Sequence, residues 1–188
     1  KTGKVYLDSA ATSLTPDTVV DKMAEYYNEY PSNVHRGNYA WGDVATEEYE
    51  GTRDKIKDWC NAHNYEVVFS SGATFSSNLI YYNLSNLGIK KSIVSLNDHN
   101  ANIVPYRLHN TDVEQIEIPD NGVFNDKELF KFGSLDAHML HISGVFNATG
   151  QILDIEKITH KAKDLGALVA LDMSQHMSHD SLDADKVN

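Results

Sequence analysis

The sequence predicts an α/β fold with a mostly parallel sheet and flanking helices. Three observations predict it. Short β-branched or apolar runs alternate with helical stretches at the spacing of strand–helix–strand units. Most of these runs lead directly into polar clusters, as strands do at the ligand-binding edge of an open parallel sheet. The 188 residues are 41% apolar, enough for a domain-sized core and too much for wholesale disorder.

The elements follow in chain order. Pro16-Asp17 opens a helix in which Val19, Val20, Met23, Tyr26, Tyr27 and Tyr30 recur at helical spacing, and Pro31-Ser32-Asn33 stops it. Asp43 reads as the N-cap of a second helix whose buried face is Ala45, Tyr49, Thr52, Ile56, Trp59 and Cys60. Strands are expected at Glu66–Phe69, Ser92–Leu96, Val113–Ile118, Ala137–Ile142 and Ala167–Leu171. Helices are expected at Ser76–Ser85, Asp126–Phe132 and Asp154–Leu165, the last closed by Gly166. No internal repeat, low-complexity tract or Pro/Gly/Ser-rich linker interrupts the chain.

Composition excludes several classes. The formal net charge of −11 repels phosphate backbones and anionic lipid surfaces, so nucleic acid and membrane are not expected partners. No apolar run approaches the ~20 residues of a membrane span, and Lys1–Ala10 is too polar for a signal peptide. A single cysteine rules out an internal disulfide framework and suits a reducing, cytoplasmic compartment. Without a secretory signal, Asn83-Leu-Ser85 and Asn147-Ala-Thr149 read as chance matches to the glycosylation triplet. Nine histidines raise the question of a metal, yet His138 and His141 would face opposite sides of a strand. His176-Met-Ser-His179 lacks a cysteine pair or an acidic third ligand, so no metal site is expected. No Gly-x-Gly-x-x-Gly follows a strand, which argues against a dinucleotide fold.

Four clusters after candidate strands describe a single site. Phe69 leads into Ser70-Ser71-Gly72-Ala73-Thr74 and a helix, a turn that offers backbone N–H groups and a helix dipole to an anion, or simply caps the helix. Leu96 leads into Asn97-Asp98-His99-Asn100, where His99 could stack on a planar ring, exchange a proton or cap the loop. Ile142 leads to Asn147-Ala-Thr-Gly150. Leu171 leads into Asp172-Met-Ser-Gln175, where a carboxylate ending an apolar strand needs a cation or several donors, unless it caps the next helix.

Taken together, the motifs resemble cysteine desulfurases of the SufS/NifS type. The residues carrying the resemblance are Tyr6-Leu-Asp-Ser-Ala-Ala-Thr-Ser13, Asn33-Val-His-Arg-Gly37, Tyr49-Glu-Gly-Thr-Arg53 and Phe69-Ser-Ser-Gly-Ala-Thr74 with Asn78-Leu79. Asp98-His-Asn-Ala-Asn-Ile-Val-Pro105, Asn147-Ala-Thr-Gly150, Gly166-Ala-Leu-Val-Ala-Leu-Asp172-Met-Ser-Gln175 and His179 complete it. Order and spacing hold across nearly the whole chain. The resemblance implies a fold-type I, pyridoxal 5'-phosphate (PLP)-dependent transferase of the class V aminotransferase group. Ala73 and Thr74 would hold the cofactor phosphate, and His99 would stack on the ring and handle a proton. Asn147 and Gln175 would face the ring hydroxyl, and Asp172 would pair with the pyridinium nitrogen. Ala10, Ala11, His35 and Arg36 would line the substrate side, the last two reaching towards a neighbouring subunit of a homodimer.

The same resemblance implies an amino-acid substrate, cysteine, converted to alanine with sulfur kept as an enzyme persulfide for iron–sulfur assembly and passed to an acceptor protein. It divides the chain into an amino-terminal segment and helix, 1–32, and an incomplete cofactor-binding large domain, 33–188. The family's cofactor lysine, in a Ser-x-His-Lys type loop, would fall about ten residues past Asn188, and its persulfide cysteine much later. Cys60, between Trp59 and Asn61, reads as a packing residue. The chain therefore reads as the amino-terminal half of a longer enzyme, inactive alone. Ala73, Asn100 and Phe146 depart from the family pattern. They leave selenocysteine or another amino acid open as substrate, and a class V relative of different activity or a non-catalytic binding fragment as the alternatives.

Overall fold

The computed structural model describes residues 3–84, 86–108 and 112–187. Ser85, the expected end of one helix and of one glycosylation triplet, lies outside them, as does Asn188. The chain forms two compact units that divide at Val67–Val68.

In the first unit, α1 spans Asp17–Glu29 and α2 spans Ala40–Trp59. Tyr30 ends α1 buried, its ring edge-on to Tyr26 at 5.6 Å, while the Tyr26 hydroxyl donates to Ser32 O at 3.1 Å. Lys22 reaches Glu48 of α2 at 3.2 Å, and Ser32 Oγ donates to Trp41 O at 2.8 Å. These ties join α2 to α1 within the first unit. Asp43 is not the cap: α2 begins three residues earlier, with Tyr39 before its first turn. In this first turn the backbone runs close to the preceding loop: a Cβ on Gly42 would lie 2.8 Å from Gly37 Cα. The buried face is also narrower than expected, being Gly42 and Ala45, with Tyr49 and Trp59 exposed.

The second unit is a three-layer α/β/α sandwich. Its strands are β1 (Lys91–Ser95), β2 (Asp112–Ile116), β3 (His138–Ser143) and β4 (Leu168–Asp172), all parallel in the order β2-β1-β3-β4. Helices α3 (Ala73–Tyr82) and α4 (Asn100–Leu108) place Tyr81, Ile103 and Tyr106 on one face with Val94, Met139 and Ala170. Helices α5 (Asp126–Leu129) and α6 (Ile155–Asp164) place Leu129, Ile155, Ile158 and Ala162 on the other, with Ile93, Leu140 and Ile142. Alternation along β1 and β3 sends successive side chains to opposite cores, as a doubly covered sheet requires. Asp154 caps α6 by accepting Lys157 N at 3.1 Å, and Gly166 at φ +98° releases the chain towards β4.

Two expectations change. Glu66–Phe69 belongs to no strand of this sheet: the Val67 carbonyl is taken by the Arg53 guanidinium, and Val68 is 75% exposed. A strand exists only through its ladder, and composition alone cannot supply a neighbour. Helix α4, which carries Pro105 within it, was not among the expected helices. The missing N–H leaves one rung empty, while burial of Ile103 and Tyr106 carries the helix through.

The connection from β1 runs through α4 to β2, and that from β3 runs through α6 to β4 on the opposite side. The strand order therefore reverses between β1 and β3. In open parallel sheets that reversal opens a crevice beyond the carboxyl ends, where ligands bind.

Candidate active site

Three strand ends and one helix start converge at this crevice. Gly72 precedes α3 with φ +137° and ψ 174°, a conformation open in practice only to glycine. The helix ladder begins with Ser76 N donating to Gly72 O at 3.1 Å, so the N–H groups of Ala73, Thr74 and Phe75 point forward as at any helix start. Ser70 Oγ meets Ser76 Oγ at 2.7 Å and braces the turn, and the Ala73 and Thr74 side chains are exposed. The arrangement suits an anion.

Beyond β1, Asp98 is buried and spans the switch point. Its Oδ2 accepts Ser95 N at 3.0 Å at the end of β1, and its Oδ1 accepts Ser143 N at 2.8 Å at the end of β3. Burial pushes its pKa up to about 6, against these hydrogen bonds and with the charge of Asp172 adding to the rise. His99 is the N-cap of α4: its Nδ1 accepts Ala101 N at 3.1 Å, which places the proton of the neutral ring on Nε2. The cap reading and a ring-facing Nε2 are thus compatible, and the side chain is exposed.

Beyond β3, Val145 bridges Ile152 and Gly150 N donates to Phe146 O at 2.8 Å, making a tight hairpin with Asn147 exposed at its tip. Phe146, one of the departures noted above, is fully buried against Phe124 and anchors this hairpin rather than facing the site. Beyond β4, the Asp172 carboxylate takes Ser174 N at 3.0 Å and Ser174 Oγ at 2.6 Å on Oδ1, and Asn102 Nδ2 at 2.8 Å on Oδ2. Burial raises the Asp172 pKa, but the Ser174 and Asn102 donors outweigh it and hold the carboxyl below its ordinary value. Asp172 is an anion sustained by donors, with no protein cation required. Gln175 follows in the same turn, half-buried. That turn sits so close to β3 that a Cβ on Gly144 would meet Met173 Sδ at 2.8 Å.

Asn102 joins these parts. Its Oδ1 accepts Ser77 Oγ of α3 at 3.1 Å, and its Nδ2 donates to Asp172 and to Ser143 Oγ at 3.3 Å. Thr74 is one helical turn before Ser77, so the anion turn and Asp172 belong to one crevice. Beneath them His141 Nδ1 meets the Tyr106 hydroxyl at 2.8 Å, and burial lowers the histidine to about 4, leaving a neutral pair. Asn102, Asp98, Ser143, Ser77, Ser174 and the His141–Tyr106 pair were not identified from sequence. The available signal was a polar Asn102 among Ala101, Ile103 and Tyr106 on an otherwise apolar helix face.

The remaining candidates are described within their own units. In the first unit, Ala10 and Ala11 sit in a turn where Ala11 N donates to Asp8 O at 3.1 Å. His35, at φ +65°, places Nε2 3.0 Å from Glu50 Oε1, and Arg36 is exposed beside it. Cys60 ends α2 half-buried, with burial raising its thiol pKa. Lys91 starts β1 at the opposite edge of the sheet, paired with Glu114 at 2.8 Å; Lys157 pairs with Asp126; Lys163 Nζ donates to Val187 O at 2.7 Å. Among the described residues no group of three metal-ligating side chains gathers. No helix among them is long and apolar enough to cross a membrane.

The switch point of this parallel sheet thus gathers a glycine-led helix start, an exposed histidine and a strand-end carboxylate, the arrangement of an open α/β fold with a ligand crevice. The class V aminotransferase model matches residues 5–188, and the chain belongs to that family of PLP enzymes. Among curated relatives it is 31% identical over 195 residues to cysteine desulfurase SufS of Plasmodium falciparum, covering 97% of this chain and 36% of that protein. It is 32% identical over 189 residues to a probable cysteine desulfurase of Pyrococcus abyssi, covering 97% and 47%. Among solved structures, the apo cysteine desulfurase of Thermococcus onnurineus superposes with TM-score 0.87 at 32% identity, covering 97% of this chain and 47% of that one. The chain spans about half the length, or less, of the relatives it matches.

Proposed function

We propose that the protein carrying this chain is a PLP-dependent cysteine desulfurase and that these residues supply its cofactor cradle. The observation that carries the reading is Asp172: an anion at the crevice, with three donors on its two oxygens and lone-pair capacity left for one more N–H. The residues fit the group. A phosphate at the α3 start and a protonated ring nitrogen at Asp172 match the two ends of this crevice in sign. When bound, the protonated pyridine ring supplies an electron sink for bond breaking at the substrate α-carbon. Asp172 holds the proton on the ring nitrogen, the N–H groups of Ala73 and Thr74 bind the phosphate, and His99 covers the ring face with its Nε2–H available to donate a proton. Asn147 and Gln175 orient the ring hydroxyl. Ala10, Ala11, His35 and Arg36 line the substrate side, Arg36 near the neighbouring subunit of a homodimer.

In the overall reaction L-cysteine and an enzyme thiol become L-alanine and an enzyme persulfide, which a sulfur-acceptor protein draws on for iron–sulfur assembly in the cytoplasm. Cys60 is not that thiol, since a half-buried thiol with a raised pKa is a poor thiolate source. Because the chain spans about half the length of the relatives it matches, the activity is assigned to the whole protein that carries it. Asn100 and Ala73 favour one second reading, a selenocysteine lyase or another class V activity. Full-length protein incubated with PLP should show a visible absorbance band and release alanine from cysteine. A band with turnover only of another amino acid would select the second reading; no band would overturn both.

A further inference from the structure

One buried side chain, that of Asn102, touches both halves of the crevice, while Asp98 and His141 face Asp172 across the sheet ends. Asn102 is 0% exposed and sits in the first turn of α4, where its amide has two donors and one acceptor. All three functions are spent on partners far apart in sequence. The acceptor faces Ser77, one turn beyond the anion-binding start of α3, and the donors face Asp172 Oδ2 and Ser143 Oγ. A carboxylate oxygen held by an amide N–H keeps both its charge and the plane of the group. A helix held through Ser77 keeps its axial position.

We propose that Asn102 is a positioning residue that fixes the Asp172 carboxylate and, through Ser77, sets α3 at the matching distance, so that one buried amide keeps the phosphate and ring-nitrogen ends of the cradle in register. This rests on reading Asp172 as the ring-nitrogen partner, but the contact itself can be tested without cofactor.

The test is a carboxylate titration by carbon-13 NMR in full-length protein freed of PLP. With Asn102→Ala the Asp172 midpoint should rise by about one pH unit, tenfold in acid constant, because a donor to the charged form is lost. A midpoint unchanged within about 0.2 units in a folded variant overturns the proposal. Should Asn102→Ala fail to fold, the parent still answers: the Asn102 side-chain amide resonance must titrate with the Asp172 midpoint, and an amide blind to it overturns the proposal. Ser77→Ala separates the second arm. It should leave the Asp172 midpoint in place and weaken PLP binding severalfold; unchanged PLP affinity removes α3 from the proposal. Turnover supplies the link to chemistry, since Asn102→Ala should cost far less in an Asp172→Asn background than alone. Full additivity contradicts action through Asp172. If the parent binds no PLP, the functional reading fails while the cofactor-free titration still decides the role of Asn102.

Discussion

The Asp98 carboxylate accepts the backbone N–H of Ser143 at 2.8 Å from the far side of the switch point, joining the ends of two strands that are remote in sequence. A second bond, from Ser95 N at 3.0 Å, makes it a clasp between β1 and β3. The crevice opens where this clasp sits, so its charge state bears on both stability and site geometry.

Asp98 and His141 oppose each other as pH changes. Asp98 has a folded value of about 6 against an ordinary 3.8, so the folded state retains a proton that the unfolded chain releases, and stability falls as pH rises from about 4 to 6. His141 has a folded value of about 4 against 6.5, so the unfolded chain takes up a proton first and stability falls as pH drops from about 6.5 to 4. Each is worth on the order of 3 kcal/mol, with opposite sign. Asp98→Asn should therefore lose stability on acidification to pH 4.5 more steeply than the parent, and His141→Gln less steeply. Urea unfolding at pH 4.5 and 6.5 reads both, and parallel slopes in all three proteins would count against the two assignments.

Asp172→Asn in the full-length protein should lower turnover at least about a hundredfold, roughly 3 kcal/mol of transition-state stabilisation, because a neutral amide cannot hold a proton on the ring. Cofactor affinity should fall much less. Turnover of every tested amino acid within about twofold of the parent would reduce Asp172 to a turn residue.

Gly72→Ala and Thr74→Ala should both loosen PLP, by different routes. A Cβ on Gly72 meets no atom within 4 Å, so any loss comes from the backbone at φ +137°, about 1–3 kcal/mol, and appears in stability too. Thr74→Ala removes only an exposed hydroxyl, so it should weaken retention while leaving stability and saturated turnover near normal. Fluorescence titration with PLP and thermal melting separate the two.

Two alanine substitutions in α2 should have opposite signs. Gly42→Ala forces a Cβ to 2.8 Å from Gly37 Cα, a backbone atom that cannot swing away, and should cost about 1–3 kcal/mol. Gly51→Ala enters open space in the same helix and should stabilise by about 0.5–1 kcal/mol. Equal effects by chemical denaturation would refute the close approach.

Tyr39 and Trp41, 51% and 54% exposed, follow the His35-Arg36-Gly37 loop as apolar surface suited to a second copy. Light scattering on intact, active protein should give a dimer, and Trp41→Glu should weaken it. A monomeric, fully active protein would contradict the assignment.

The sequence by itself determined those elements whose signal is local. Apolar runs at 92–96, 137–142 and 167–171 became β1, β3 and β4, and Asp154 with Gly166 bracketed α6, because period, cap and stop all lie within a few residues of one another. It also carried the family, since ordered motifs survive where single ones are ambiguous. Tertiary structure alone decided what depends on distant partners. Glu66–Phe69 has strand composition but no neighbour in the described sheet, and α4 crosses Pro105 because Ile103 and Tyr106 are buried. Asp172 proved to be held by donors, one of them seventy residues away on Asn102, whose other partner, Ser77, lies twenty-five residues back. Periodicity records which face of an element is apolar; it carries no record of which buried amide meets which carboxylate, because that pairing is made only when the helices close over the sheet.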